Sequence, residues 1–129
     1  MHLPERRRYA RLPWKQEGQA AFKDHLGDPV QVSVTIMSVS PEGMGLSMHP
    51  DIELPSVGKM LTLGFKIGQR DISLPGRVIW KQRGPQHTAV GIRLMLELAK
   101  ASMRQAYARW IVERLEREQP SGPPGAVAR

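Results

Sequence analysis

The stretch VQVSVTIMSVSPEGMGLSM, residues 30–48, decides the fold. Val30, Val32, Val34 and Ile36 alternate with Gln31, Ser33 and Thr35, the pattern of a strand with one buried face. Ser40, Pro41, Glu42 and Gly43 then form a run of turn residues. Residues 43–48, GMGLSM, lead out of that turn into a second short strand.

The same texture continues on both sides. KMLTLGFKI (59–67) alternates Leu61, Leu63 and Phe65 with Met60 and Thr62. ISLPGRVIW (72–80) carries Pro75 and Gly76 in mid-run, which predicts a bulge or an edge position there. TAVGIRLML (88–96) is a further strand, and QAAFKDHL (19–26) a weaker one. Five or six short strands between Gly/Pro turns predict a small antiparallel barrel or sandwich.

The period then changes. From Leu96 to Glu118 there is neither Gly nor Pro. Leu96, Met103, Tyr107, Trp110, Ile111 and Leu115 recur mostly three, four and seven apart, one apolar face of a helix over 96–118. That face packs either on its own barrel or on a second copy in a homodimer. Arg114 and Arg117 sit near the end where the helix dipole favours cations. Residues 119–129, QPSGPPGAVAR, read as a disordered Pro/Gly tail. Pro4 and Pro13 keep residues 1–15 from forming a helix, so they read as an irregular arm. The expected organisation is arm 1–15, barrel 16–95, helix 96–118 and tail 119–129.

A chain of 129 residues with 40% apolar content can build one core. It lacks an apolar run of the about 20 residues needed to span a bilayer, and no apolar signal-peptide region follows the charged N-terminus. Cysteine is absent, which excludes disulfides and thiolate metal sites. A cytoplasmic setting is expected. The net charge is +7, and it is concentrated in the arm, where Arg6, Arg7, Arg8, Arg11 and Lys15 face only Glu5. A local cluster of this kind points to one anionic partner or to a solvated basic tail.

Catalytic chemistry finds little support. His2, His25, His49 and His87 lack metal-ligand spacing. Gly58-Lys59-Met60 lacks the rest of a phosphate-binding loop, and residues 43–48 lack the third glycine of a dinucleotide fingerprint. There is no GxSxG elbow. The expectation is a binding module, not an enzyme, with no metal. Aromatic content of only 5% and charge confined to one arm argue against a barrel that binds DNA or RNA.

Arg7 and Arg11 stand four apart in ERRRYARLP (5–13), and Ser38, Ser40 and Gly43 stand in SVSPEGMGL (38–46). Together they resemble RxxxR and [D/N]xSxxG, the two signatures of the PilZ domain family. LPGRVIWKQ (74–82) resembles the family's G-x-V-x-W strand, and AVGIRL (89–94) its closing strand. The resemblance covers about residues 5–95. It implies a six-stranded antiparallel PilZ-type β-barrel followed by a helix, with cyclic di-GMP as ligand. Arginine forks suit both the phosphates and the guanine edges of such a dinucleotide.

The resemblance further assigns Arg7 and Arg11 as ligand arginines, with Ser40 and Gly43 lining the barrel side. Gly43 would let the backbone approach the ligand closely or adopt a positive φ. Arg6 stands where the family associates an arginine with a self-intercalated ligand dimer. Ser38 stands where the family usually has Asp or Asn, and losing a carboxylate acceptor would weaken binding by roughly 1–2 kcal/mol. Two functions follow from the resemblance. One is a cyclic di-GMP receptor whose arm changes conformation and regulates a protein partner in motility, pili or exopolysaccharide production. The other is an adaptor that has lost the nucleotide and acts through protein contacts alone. Trp80 reads as a core or rim aromatic, Trp14 as a cover for the barrel end, and Arg93 as facing either ligand or solvent.

Overall fold

A computed structural model describes residues 12–118. Six strands run β1 (Leu12–Lys23), β2 (Pro29–Val39), β3 (Gly43–Met48), β4 (Met60–Ile67), β5 (Arg70–Arg83) and β6 (Thr88–Leu94). A 3₁₀ turn at Leu96–Leu98 and helix α1 (Ala101–Glu118) follow. The strands close into a barrel in the order β1-β2-β3-β6-β5-β4, every pair antiparallel. The expected six-stranded barrel with a C-terminal helix is therefore the observed fold.

Alternation builds the core. Val34 and Ile36 of β2, Leu61 and Leu63 of β4, and Val90 and Ile92 of β6 all point inward and are buried. Burial of such a side chain contributes about 1.5–3 kcal/mol. Closure leaves the sheet without an open edge.

The strand at the start of the chain is longer than its pattern suggests. β1 begins at Leu12, so residues 12–15 are strand and not arm. Its inward positions include Gln16 and Gly18, which give no apolar alternation to read. Pairing with β2 from Leu12↔Val39 to Lys23↔Pro29 imposes the extended form. β1 pairs with β4 only from Gln19↔Gly64 to Ala21↔Thr62. Beyond that short ladder the Gln16 amide donates to the Lys66 carbonyl at 2.6 Å and bridges the two strands.

Pro75 and Gly76 make no bulge. The β4–β5 register runs unbroken from Met60↔Arg77 to Ile67↔Arg70. Pro75 is tolerated because the β5–β6 ladder stops at Gly76↔Leu94, one residue short of it. The bulge in β5 lies instead between Val78 and Trp80.

α1 starts at Ala101, later than the Leu96 expected, because Ala99 is extended (φ −83°, ψ 156°) after the 3₁₀ turn. Tyr107, Trp110 and Ile111 are buried against this chain's own barrel, and Met103, Ala106 and Leu115 pack half-buried beside them. The helix covers one end of the barrel, where β1 and β3 begin and β2 and β6 finish. At the other end the segment 49–59 crosses the opening and inserts Leu54 into the core. Among the described residues, no helix is long and apolar enough to cross a membrane.

Candidate ligand-binding site

The β2–β3 turn is the centre of the site, and short backbone bonds fix its shape. Ser40 N–H donates to the Gly43 carbonyl at 2.9 Å. The Ser40 hydroxyl accepts from Gly43 N–H at 3.1 Å and donates to the Gly43 carbonyl at 3.3 Å. The Glu42 carbonyl accepts from Leu94 N–H at 2.8 Å, which ties the turn to the end of β6. The Ser40 hydroxyl is thus buried and turned to its own hairpin.

Gly43 is needed for close approach. It pairs with Arg93, and a Cβ placed on it would lie 2.5 Å from the Ile92 carbonyl oxygen. Its φ lies outside the left-handed region, where among the described glycines only Gly27, Gly58 and Gly68 fall. The positive φ offered as one use of this glycine is therefore not observed, and the close approach it makes is to the Ile92 carbonyl of its own sheet.

The helix seals the turn from below. Tyr107 is fully buried, and its hydroxyl donates to the Ser40 carbonyl at 2.6 Å. Burial pushes the phenol far above its ordinary range, only partly offset by this bond, so it remains a donor at every physiological pH. Tyr107 also meets Phe65 edge-on at 6.2 Å between centroids. No motif marks this tyrosine. Its helical spacing identified a packing residue, but its partner lies 67 positions away.

The start of β1 is clasped by the same helix. Trp14 packs edge-on against Trp110 at 5.2 Å between centroids, and the Arg114 guanidinium lies 4.4 Å from the Trp14 ring centre. Such a cation–π contact stabilises by about 0.5–2 kcal/mol. Arg114 therefore does more than answer the helix dipole. Two residues of β1 pair beside the turn, Leu12 with Val39 and Pro13 with Ser38. The chain thus joins the barrel next to Ser38. Arg6, Arg7 and Arg11 lie outside the described residues.

Two rows of outward-facing positions extend from the turn across the barrel wall. One runs Ser38, Gly45, Gly91, Trp80 through successive strand pairings. The next runs Gly43, Arg93, Arg77, Met60. The two neighbouring glycines of the first row leave a floor without side chains. Trp80 closes that row, with its indole over Gly91: a Cβ there would fall 2.2 Å from Nε1. Trp80 is 41% exposed and lies on the outer wall, not in the core. These rows could not be read from the chain because β3 pairs with β6, which lies 40 residues further on. Among the described residues no group of His, Cys, Asp or Glu could hold a metal ion.

A closed six-stranded barrel whose C-terminal helix packs over one end, against the β2–β3 turn and the start of β1, defines a known class of single-barrel domain. The sequence model of that class, described as the PilZ domain, matches residues 5–113, and this chain belongs to the PilZ domain family. Solved structures agree on the fold. The Bacillus subtilis inhibitor of motility MotI/DgrA superimposes with TM-score 0.67 and 15% identity, covering 88% of this chain and 53% of that one. YcgR of Escherichia coli, in complex with c-di-GMP, gives 0.60 and 17% identity, covering 88% and 47%. The PilZ domain of CeSA from a cellulose-synthesizing bacterium gives 0.59 and 14% identity, covering 82% and 98%. This chain thus spans about half the length of MotI and YcgR. No curated protein matches it.

Proposed function

We propose that this chain is a cytoplasmic cyclic di-GMP receptor module that regulates a protein partner and performs no catalysis. The observation that carries the reading is that the chain enters the barrel beside the serine–glycine signature. The turn holding Ser38, Ser40 and Gly43 lies beside the point where the chain enters β1, directly after Arg11. The family match begins at residue 5 and so includes Arg7 and Arg11. That YcgR was solved with c-di-GMP supports the ligand class.

In this reading Arg7 and Arg11 take phosphate and guanine edges as forks, and Arg6 adds a third guanidinium. Ser38 stands on the wall beside the entry of β1, at the position the family signature assigns to the ligand. Gly43 gives the ligand access to backbone, and Ser40 holds the turn in shape. Trp80 presents the free face of its indole at the far side of the glycine floor, a surface on which a base can stack. Folding the arm over the ligand couples binding to a change of surface, which a partner reads.

Calorimetry with cyclic di-GMP on the wild type and on an Arg7→Ala/Arg11→Ala double variant tests the reading. Each good bidentate contact is worth about 1–3 kcal/mol, so the double variant should bind at least about thirtyfold more weakly. Absence of heat and of any thermal shift for the wild type at saturating ligand would overturn it.

Ser38 favours a second reading, an adaptor that acts by protein contacts without nucleotide. Ser38→Asp separates the two. A receptor should gain roughly tenfold in affinity from the restored carboxylate. An adaptor should bind cyclic di-GMP in neither form.

A further inference from the structure

We infer that Arg77 and Arg93 form a second ligand-binding arginine pair, built into the barrel wall, that takes a phosphodiester group of the nucleotide. The inference rests on the receptor reading above. The two residues are direct cross-strand partners on β5 and β6, and both face outward and are exposed. Cross-strand neighbours in such a pair have Cβ atoms about 4.5–5.5 Å apart, and like charges directly opposite destabilise a sheet. Neither arginine forms an ion pair among the described residues, where the salt bridges are His49–Asp51 and Lys66–Asp71. Folding alone gives this pair no compensation.

Its position supplies one. Arg93 pairs on its other side with Gly43, and its Cα lies 3.8 Å from where a Gly43 Cβ would stand. The neighbouring row holds Gly45 and Gly91, with the Trp80 indole lying over Gly91, so a flat ligand seated against the indole at Gly45 stands one row from the guanidinium groups. The pair therefore borders the turn on the side opposite Ser38 and the entry of β1.

The geometry selects the phosphodiester over a guanine edge. One guanidinium suffices for a guanine O6/N7 edge. Two guanidinium groups a strand apart can straddle a phosphodiester, whose two free oxygens share one negative charge.

Calorimetry of the full chain with cyclic di-GMP tests this, comparing wild type with Arg77→Gln, Arg93→Gln and the double variant at low and high salt. Each single change should weaken binding about tenfold. The double variant should also flatten the salt dependence, because the lost contacts are charge–charge. The unliganded melting temperature should stay level or rise as the like-charge opposition is relieved. An unchanged Kd in the double variant, with wild type binding and Arg7→Ala/Arg11→Ala impaired, would overturn the wall pair and leave the receptor reading standing. Weaker binding with unaltered salt dependence would overturn the phosphodiester assignment in favour of a base contact. Failure of the wild type to bind overturns both.

Discussion

At the helix end of the barrel, the polar groups of the β2–β3 turn are matched one by one. Ser40 N–H, Oγ and carbonyl, the Glu42 carbonyl and both backbone groups of Gly43 all have partners. At the loop end, Thr88 opens β6 with its Oγ1 buried and without a hydrogen-bond partner. There Leu26 and Val57 stay exposed, and exposed Met60 lines a groove of about 1480 Å³ between the β1–β2 turn and the 49–59 segment. The same barrel is thus over-determined at one end and loosely finished at the other. Ser38, Ser40 and Gly43, the proposed ligand residues of the turn, lie at the over-determined end. A site that must present a hydroxyl and a glycine backbone at fixed positions needs a turn that does not move.

Breaking the helix end should have the largest effect. Tyr107→Ala removes a fully buried aromatic and strands the Ser40 carbonyl, and should cost about 3–5 kcal/mol in denaturant unfolding. Leu54→Ala attacks the loop end, where the segment can partly collapse. It should cost about 2–3 kcal/mol and leave the cyclic di-GMP Kd within about twofold of wild type. If Leu54→Ala shifted affinity as strongly as stability, the two ends would not be independent.

Tyr107→Phe sharpens the contrast, since it keeps the ring and deletes only the donor. A loss of about 1–2 kcal/mol is expected, together with weaker ligand binding. Because the phenol stays protonated, the stability difference between Tyr107→Phe and wild type should not vary between pH 6 and pH 9, a range measured by parallel melts. The smallest effect should come from Thr88→Val. Replacing the orphaned hydroxyl by a methyl of like shape should stabilise by about 1 kcal/mol, read as a higher denaturant midpoint at constant slope.

The sequence made the loose features of the wall easy to read and the tight ones hard. Val30 to Ile36 announced β2 because each buried residue alternates with a polar one. The face holding Tyr107 and Trp110 announced α1 through its spacing. β1 was under-read because Gln16 and Gly18 occupy inward positions, so strand pairing carries what apolar alternation does not. At the site, Ser38, Ser40 and Gly43 were legible as a turn motif. Tyr107, Trp80, Arg77 and Arg93 were not legible as neighbours of that turn. Their proximity depends on β3 crossing to pair with β6 and on α1 folding back beneath, which no local pattern encodes.

The bond from Tyr107 to Ser40 also sets an order of events during synthesis. Ribosomes add about 5–20 residues per second, so roughly 3–13 s separate the appearance of Ser40 from that of the residue that caps it. Through that interval the turn exists without its seal, and β3 lacks β6 until Thr88–Leu94 has emerged. The nascent chain therefore cannot form the site piecemeal. The site is completed only when nearly the whole domain is present, so a truncated product would carry both signature segments without the turn that α1 holds in place.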